Sequence, residues 1–302
     1  VEYRAKQPIL PLRFFKNRTY TLLMSVGLLF GAAFIGAILY LTQFNQQVYG
    51  ATASQAGLML LPMVGGMTVA SIGTGQLVAR VGRYKPFMIT GFVIATLSML
   101  SLITLQPDSP YWHEALIMTF AGLGLGMAMP ILSLAVQNEF SQKDLGAATS
   151  SVQMFRGLGS TVGTAILSGM LTAGILSAMG NPEKIDYVQA IRQSPASSQM
   201  MSGDVDADTL LQLNMQQAQI KAQAEKSFAK IPNPIIQRET KKAFTAQQEQ
   251  FHDEIIAAFT TSLHHIFMTS SALMAFAVII AAFIKDKPLR DGKNETPGEA
   301  RA

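Results

Sequence analysis

Six stretches of about 20 to 30 residues limit what this chain can fold into: five hold no Asp, Glu, Lys or Arg, and the remaining one holds a single arginine. They are Tyr20–Phe44, Ala51–Ala79, Phe87–Leu105, Ala115–Val136, Leu145–Leu176 and Ala257–Ile284. A helix needs about 20 apolar residues to cross the hydrocarbon core of a bilayer, and each stretch is about that long or longer. Only 14% of the residues are charged, against roughly 25% in soluble proteins. The pattern predicts an all-α integral membrane protein with six transmembrane helices, numbered here as the first to sixth spans.

The net charge of +4 fits a nucleic-acid binder no better than a membrane protein, and the positions of the basic residues decide for the membrane. Arg4, Lys6, Arg13, Lys16 and Arg18 precede the first span. Arg80, Arg83 and Lys85 separate the second from the third, Lys143 the fourth from the fifth, and Lys285, Lys287, Arg290, Lys293 and Arg301 follow the sixth. The loops Asn45–Gly50 and Gln106–Glu114 hold no Lys or Arg. By the positive-inside rule both termini are cytoplasmic, in a cell (plasma or inner) membrane. The expected organisation is a cytoplasmic lead-in over 1–19, five spans over 20–176, an extracytoplasmic segment over 177–254, the sixth span over 255–284 and a cytoplasmic tail over 285–302. Ala51-Thr52-Ala53 has the form of a signal-peptidase site, but the apolar run before it is too long for a signal peptide.

Several classes of chemistry find no support. The chain has no cysteine, which removes disulfides, thiol nucleophiles and cysteine-based metal sites. It has no HExxH or GxSxG motif and no pair of acids inside a span, so no enzyme and no cofactor is expected. Asp204, Asp206 and Asp208 lack the glycine and closing glutamate of a calcium loop and suit a helix N-terminus.

Within the spans, small residues mark where helices can approach closely. Gly122, Gly126 and Pro130 share one face of the fourth span, with Pro130 placed to bend it. Gly159 and Gly163 form a small-xxx-small pair on the fifth. Thr149, Gln153, Arg156, Ser160 and Gly163 make a polar and small stripe on that helix. Arg156 is the one charged residue inside a span; it either snorkels to the cytoplasmic end or faces a cavity or gate, with a carboxylate partner from a helix end such as Glu139 or Asp144 or from a part of the protein outside this chain. His264 and His265, near the outer edge of the sixth span, are adjacent and so point in different directions.

The 177–254 segment carries eight basic and ten acidic residues. Asp204–Lys230 has helical composition, Pro232-Asn233-Pro234 breaks it, and Ile235–Glu254 returns. The reading is a helical hairpin whose second arm runs into the sixth span. It offers a surface for an extracytoplasmic partner.

The turn Gly75-Gln76-Leu77-Val78-Ala79-Arg80-Val81-Gly82-Arg83-Tyr84 resembles the signature loop of the major facilitator superfamily. Ala79 stands where that pattern has aspartate and Tyr84 where it has lysine. Pro11-Leu12-Arg13-Phe14-Phe15-Lys16-Asn17-Arg18-Thr19, Tyr40-Leu41-Thr42-Gln43, Gln55-Ala56-Gly57-Leu58-Met59-Leu60-Leu61-Pro62, the glycine run from Gly122 and the stretch from Gly146 to Ala165 resemble the fourteen-span EmrB/QacA-type drug:proton antiporters. So does the closing Lys285-Asp286-Lys287-Pro288-Leu289-Arg290.

The resemblance implies the C-terminal six-helix half of a proton-coupled multidrug exporter acting on lipophilic or cationic compounds. An N-terminal bundle carrying the coupling carboxylates would be its partner, and the opening at Val1 fits a fragment of such a protein. It also implies a substrate cavity walled by the first and fourth spans, at Tyr40, Gln43, Met129, Ser133 and Gln137, with Gln153 beside it on the fifth. Gly75, Arg80, Gly82, Arg83 and Arg156 become gating residues. The competing reading is a membrane-anchored receptor or assembly protein that uses the external hairpin as its interaction surface.

Overall fold

A computed structural model describes residues 12–192, 205–229 and 231–289. The basic residues Arg4, Lys6, Arg290, Lys293 and Arg301, together with Asp204 and Lys230, lie outside the described residues. The described chain is helical: α1 Arg18–Gln47, α2 Ala53–Met59, α3 Leu61–Val81, α4 Lys85–Ser101, α5 Tyr111–Gln137, α6 Leu145–Met179, α7 Asp186–Arg192, α8 Ala207–Met215, α9 Gln217–Phe228 and α10 Pro234–Ala282. Six spans long and apolar enough to cross a membrane run over Arg18–Gln47, Ala53–Val81, Lys85–Thr104, Tyr111–Gln137, Gln142–Lys184 and Pro234–Ala282.

Local signals explain most boundaries. The Asn17 side chain accepts from the Thr19 and Tyr20 amides and starts α1. Pro62, in the first turn of α3, cannot donate to the ladder, and the second span is divided at Leu60 into α2 and α3. Gly82 ends α3 in the left-handed conformation, φ 69°, where a side chain would be strained. Asn233 caps α10, whose 49 residues extend about 73 Å, more than twice the roughly 30 Å hydrocarbon core. The upper part of that helix therefore stands outside the bilayer.

The bundle has an internal symmetry of packing. α1 lies against α6 and α10, α5 lies against α3 and α4, and α4 lies against α10. Exchanging first with fourth, second with fifth and third with sixth spans maps these pairs onto themselves, as a nested three-plus-three repeat would; α6 also lies against α10, a contact that has no counterpart of its extent between α3 and α4. The glycines repeat the relation. A Cβ on Gly159 would collide with the Leu28 carbonyl, and one on Gly31 with the Arg156 carbonyl, at the α1/α6 crossing. At the α3/α5 crossing, Cβ atoms on Gly122, Gly126 and Gly66 would collide with the Met63, Met67 and Thr119 carbonyls. Gly163 meets Ala32 in the same way, and α5 continues through Pro130.

The segment after α6 differs from a free-standing hairpin in two respects. α9 and the start of α10 do form an antiparallel pair, joined by Glu225–Lys241 at 2.8 Å and by Phe228 against Phe244. The first arm, however, is divided at Gln216 into α8 and α9. The whole segment is also folded down: Tyr187, Val188, Ile191, Leu210, Leu211, Leu213 and Ile220 join Tyr40, Phe44, Phe251, Ile255 and Phe259 in one core. It is a cap on the bundle, because burying this many apolar side chains against the helices lowers the free energy relative to leaving them in water.

Candidate functional site

Three regions hold the polar chemistry: the end that carries the first and last described residues, called here the terminal end, the capped end, and the open faces of α3 and α6.

At the terminal end the signature turn is stitched to the segment after α10. The Leu289 amide donates to the Gly82 carbonyl at 2.9 Å, and Arg83 pairs with Pro288 in an isolated antiparallel bridge. Arg83 also lies 3.7 Å from Asp286, so the carboxylate missing at Ala79 has a counterpart about two hundred residues later. Lys85 Nζ donates to the Ala282 carbonyl at 2.8 Å. Glu139, with its side chain 1% exposed, accepts from Lys287 Nζ at 2.7 Å and from Asn17 Nδ2 at 3.0 Å. One asparagine thus caps α1 with its oxygen and ties down the end of α5 with its nitrogen. Tyr84 is enclosed here; burial first, then the charges of Glu139 and Asp286, push its hydroxyl up to about 12. Arg13 bonds Asp144 at 2.7 Å.

These pairs settle one expectation. Glu139 and Asp144 are bound to Lys287 and Arg13, so the reading of either as the carboxylate for Arg156 is corrected. Arg156 is half-exposed, eleven residues or about 16 Å along α6 from Leu145, and among the described residues no acid pairs with it. Gly75 and Arg80 are exposed on α3, and a Cβ on Gly75 would meet nothing within 4 Å.

At the capped end the ties are amides. Gln47 Nε2 donates to the Leu211 carbonyl at 3.2 Å, and Asn214 Nδ2 donates to Gln47 Oε1 at 2.8 Å. Asn214 Oδ1 accepts from Gln217 at 2.8 Å and meets His252 Nδ1 at 2.8 Å. Gln248 Nε2 donates to the Tyr187 hydroxyl and to the Gln217 carbonyl, both at 3.0 Å. His264 reaches the Leu105 carbonyl at 2.7 Å, while His265 points outward.

The residues expected to wall a cavity do not gather in one place. Tyr40 is 1% exposed, with Ser168 of α6 beside its hydroxyl; the ring is enclosed, so its reading as cavity wall is corrected for this conformation. Gln43 is half-exposed one turn from the capped end of α1. Met129, Ser133 and Gln137 are half-exposed on the last turns of α5, at the opposite end, where Gln137 donates to Thr149 of α6 at 3.4 Å. Gln153 is exposed on α6, in line with Gly157, Thr161 and Ala165. Grooves of about 350 and 500 Å³ lie elsewhere, one bordered by Phe15, Met24, Phe155 and Phe276, the other by Leu97, Ser98, His113 and Phe120.

The open faces belong to the second and fifth spans. Of their most apolar stretches 28% and 22% are buried, against 53% and 56% in the first and fourth. Cβ atoms on Gly65, Gly73, Gly157 and Gly169 would meet nothing within 4 Å, unlike those at the crossings. Sequence reasoning missed Asn17, Asn45, Glu114 and the cap network; Asn17 before Arg18-Thr19 is a readable helix-start signal, the others are set by tertiary contact.

Comparison with known proteins now fits the geometry. Residues 3–164 match the family model described as Major Facilitator Superfamily. The chain is 32% identical to the multidrug transporter protein MdtP of Bacillus subtilis over 99% of its own length and 52% of that protein's. It is 28% identical to an uncharacterized MFS-type transporter of Mycobacterium tuberculosis over 96% of itself and 36% of the relative. A tetracycline resistance determinant of Streptomyces rimosus is 28% identical over 59% of the chain. The chain thus spans about half the length of the first of these relatives, and less of the second. With six spans in the pseudo-repeated packing described, this chain belongs to the major facilitator superfamily.

Proposed function

We propose that this chain is the C-terminal six-helix half of a multidrug exporter of the fourteen-span drug:proton antiporter type. It expels lipophilic or cationic compounds in exchange for protons, with both termini cytoplasmic. The observation that carries the reading is the openness of α3 and α6. Two apolar helices present glycines and small polar residues that nothing in the bundle covers, as surfaces that slide against a second bundle require. The names of relatives, a multidrug transporter and resistance proteins among them, support small-molecule drugs as the cargo class.

In this reading the two bundles rock about a midplane site. Gln153 and Arg156 on α6 and Met129, Ser133 and Gln137 on α5 line the terminal-side half of the path, and Gln43 the other half. Arg156, lacking an acid in its own bundle among the described residues, meets a carboxylate or an anionic group across the cavity. Gly82 and Arg83, with Gly75 and Arg80, form the cytoplasmic gate, in which the Arg83–Asp286 contact fixes the turn.

The test is transport by the complete protein in everted membrane vesicles, with ethidium as cargo. Accumulation is expected to follow the proton gradient and to stop when an uncoupler collapses it. Accumulation that persists without a gradient, or none in vesicles that hold folded protein, contradicts the proposal.

A further inference from the structure

Glu114 is 0% exposed, in the first turn of α5, where the sequence had placed a loop residue. Asn45, also 0% exposed, faces it from the last turn of α1. With the amide nitrogen toward the carboxylate, Asn45 donates to Oε2 at 2.8 Å and to Oε1 at 3.0 Å. Among the described residues no lysine, arginine or histidine comes within ion-pair distance of it. An ionised carboxylate so enclosed is costly unless a cation or a proton completes it.

The surrounding groups fit a proton. Tyr49, in the loop after α1, donates its hydroxyl to the Ser109 carbonyl at 2.9 Å and so does not turn it to Glu114. Tyr111, on α5 itself, donates to the Met59 carbonyl. His113 faces Thr104 at 3.4 Å, and His264 of α10 is engaged with the Leu105 carbonyl. The titratable side chains at this level are these tyrosines and engaged histidines, with the carboxylates of Asp108, beside Ser109, and of Asp208 on α8, which acts on Tyr40; none is a lysine or arginine. Asn45 suits both states of the acid: its nitrogen donates to a carboxylate, and its oxygen accepts from a carboxylic O–H when the amide turns.

We propose that Glu114, held by Asn45, is a proton-binding residue of the transport cycle, loaded from the capped end of the bundle. The proton comes from water at that face, resides on a carboxyl oxygen, and returns to water at that face when the α1–α5 contact re-opens; no covalent bond of the cargo changes. The inference rests on the transport reading for its place in a cycle, and it puts a proton-binding acid in this half, where the sequence had led us to expect none. It also gives the first and fourth spans, which otherwise pack mainly on different neighbours, a contact whose chemistry changes with one proton.

The experiment is infrared difference spectroscopy of the complete transporter in nanodiscs, titrated from mildly alkaline to mildly acidic pH. A protonated-carboxyl stretch is expected to grow on acidification, to lose one carboxyl's share of its amplitude in Glu114→Gln and to have that share shifted in Asn45→Ala. Glu114→Gln keeps the size of the side chain and, with one donor and one acceptor end, stands in for the protonated acid; Glu114→Asp, which keeps a carboxyl, guards against a folding artefact by retaining a displaced band. A titrating band of full amplitude in Glu114→Gln, or no titrating band in the wild type, overturns the assignment. In proteoliposomes, Glu114→Gln is expected to lose the dependence of tetraphenylphosphonium efflux on the pH at the capped face; an unchanged pH profile overturns the role in the cycle. If the wild type transports no cargo at all, the spectroscopic result still decides whether Glu114 binds a proton.

Discussion

The two ends of this bundle are tied by different physics. At the terminal end the ties are ionic, and each pair has a partly exposed member: Arg13–Asp144, Arg83–Asp286 and Lys287–Glu139. At the capped end the buried ties are amide and carbonyl contacts of Gln47, Asn214 and Gln248, and the ion pairs there, Glu225–Lys241 and Arg192–Glu183, are exposed and join parts of the cap to one another. Exposed ion pairs are weak and screened by salt, so they re-form readily in new arrangements. Buried amides are indifferent to salt and costly to leave unpaired. The cap is therefore expected to move with α1 and α10 as one body, while the terminal end exchanges partners during gating.

That contrast assumes a rigid middle, and the largest predicted effects test it. Gly159→Ala and Gly126→Ala drive a methyl into the Leu28 and Met67 carbonyls and are expected to lower stability by about 1–3 kcal/mol each. Gly157→Ala, with open space at its Cβ, is expected to stay within about 0.5 kcal/mol. Thermal unfolding of the complete protein in detergent reads all three. Equal losses would mean that the open and closed faces are not as drawn.

Next in size is Asn214→Ala, which leaves Gln47 and His252 short of a partner and is expected to loosen the cap by about 1–3 kcal/mol, unchanged by salt. Arg13→Ala, at the other end, removes the partner of the partly exposed Asp144 and is expected to cost up to about 1 kcal/mol and to lose much of its effect in high salt. Hydrogen exchange of α8 and of the start of α6, at low and high ionic strength, separates the two. A salt-sensitive cap would remove the distinction.

Smaller effects sharpen it. Asp206 caps α8, accepting from the Thr209 hydroxyl at 2.6 Å and amide at 2.8 Å, and these bonds hold its carboxyl below the usual range. Its folded value is depressed, so its contribution is present above the unfolded value and is lost as pH falls through the folded one. Exchange of the first α8 amides is expected to quicken in acid, and Asp206→Asn is expected to remove that dependence. Arg83→Lys is expected to have the smallest effect, normal insertion with slower efflux, because lysine keeps the charge near Asp286 but lacks the planar fork.

How much of this was legible in the sequence depended on where the determinants sit. Spans announce themselves because charge cannot be hidden in lipid, and the continuity of α10 followed from a proline start with no later breaker. The break at Gln216 has no glycine or proline; it accompanies Asn214 turning its side chain to Gln47 and His252, partners remote in sequence. Glu114 was read as the end of a loop because a charge ends an apolar run, although Pro110 marks the helix start. The pairing of Arg83 with Asp286 and the enclosure of Tyr40 were likewise invisible, since periodicity assigns a residue to a face without saying what covers it.

The most direct test of alternating access exploits the absence of cysteine from this chain. Gln153→Cys, on the terminal-side path, and Gln43→Cys, on the capped side, are introduced singly into the complete transporter, freed of any other cysteine. Each is exposed to a water-soluble maleimide with and without tetraphenylphosphonium, at two pH values. Labelling is expected to change reciprocally, one position closing under the conditions that open the other. Parallel changes, or equal labelling of both positions under every condition, would contradict the account.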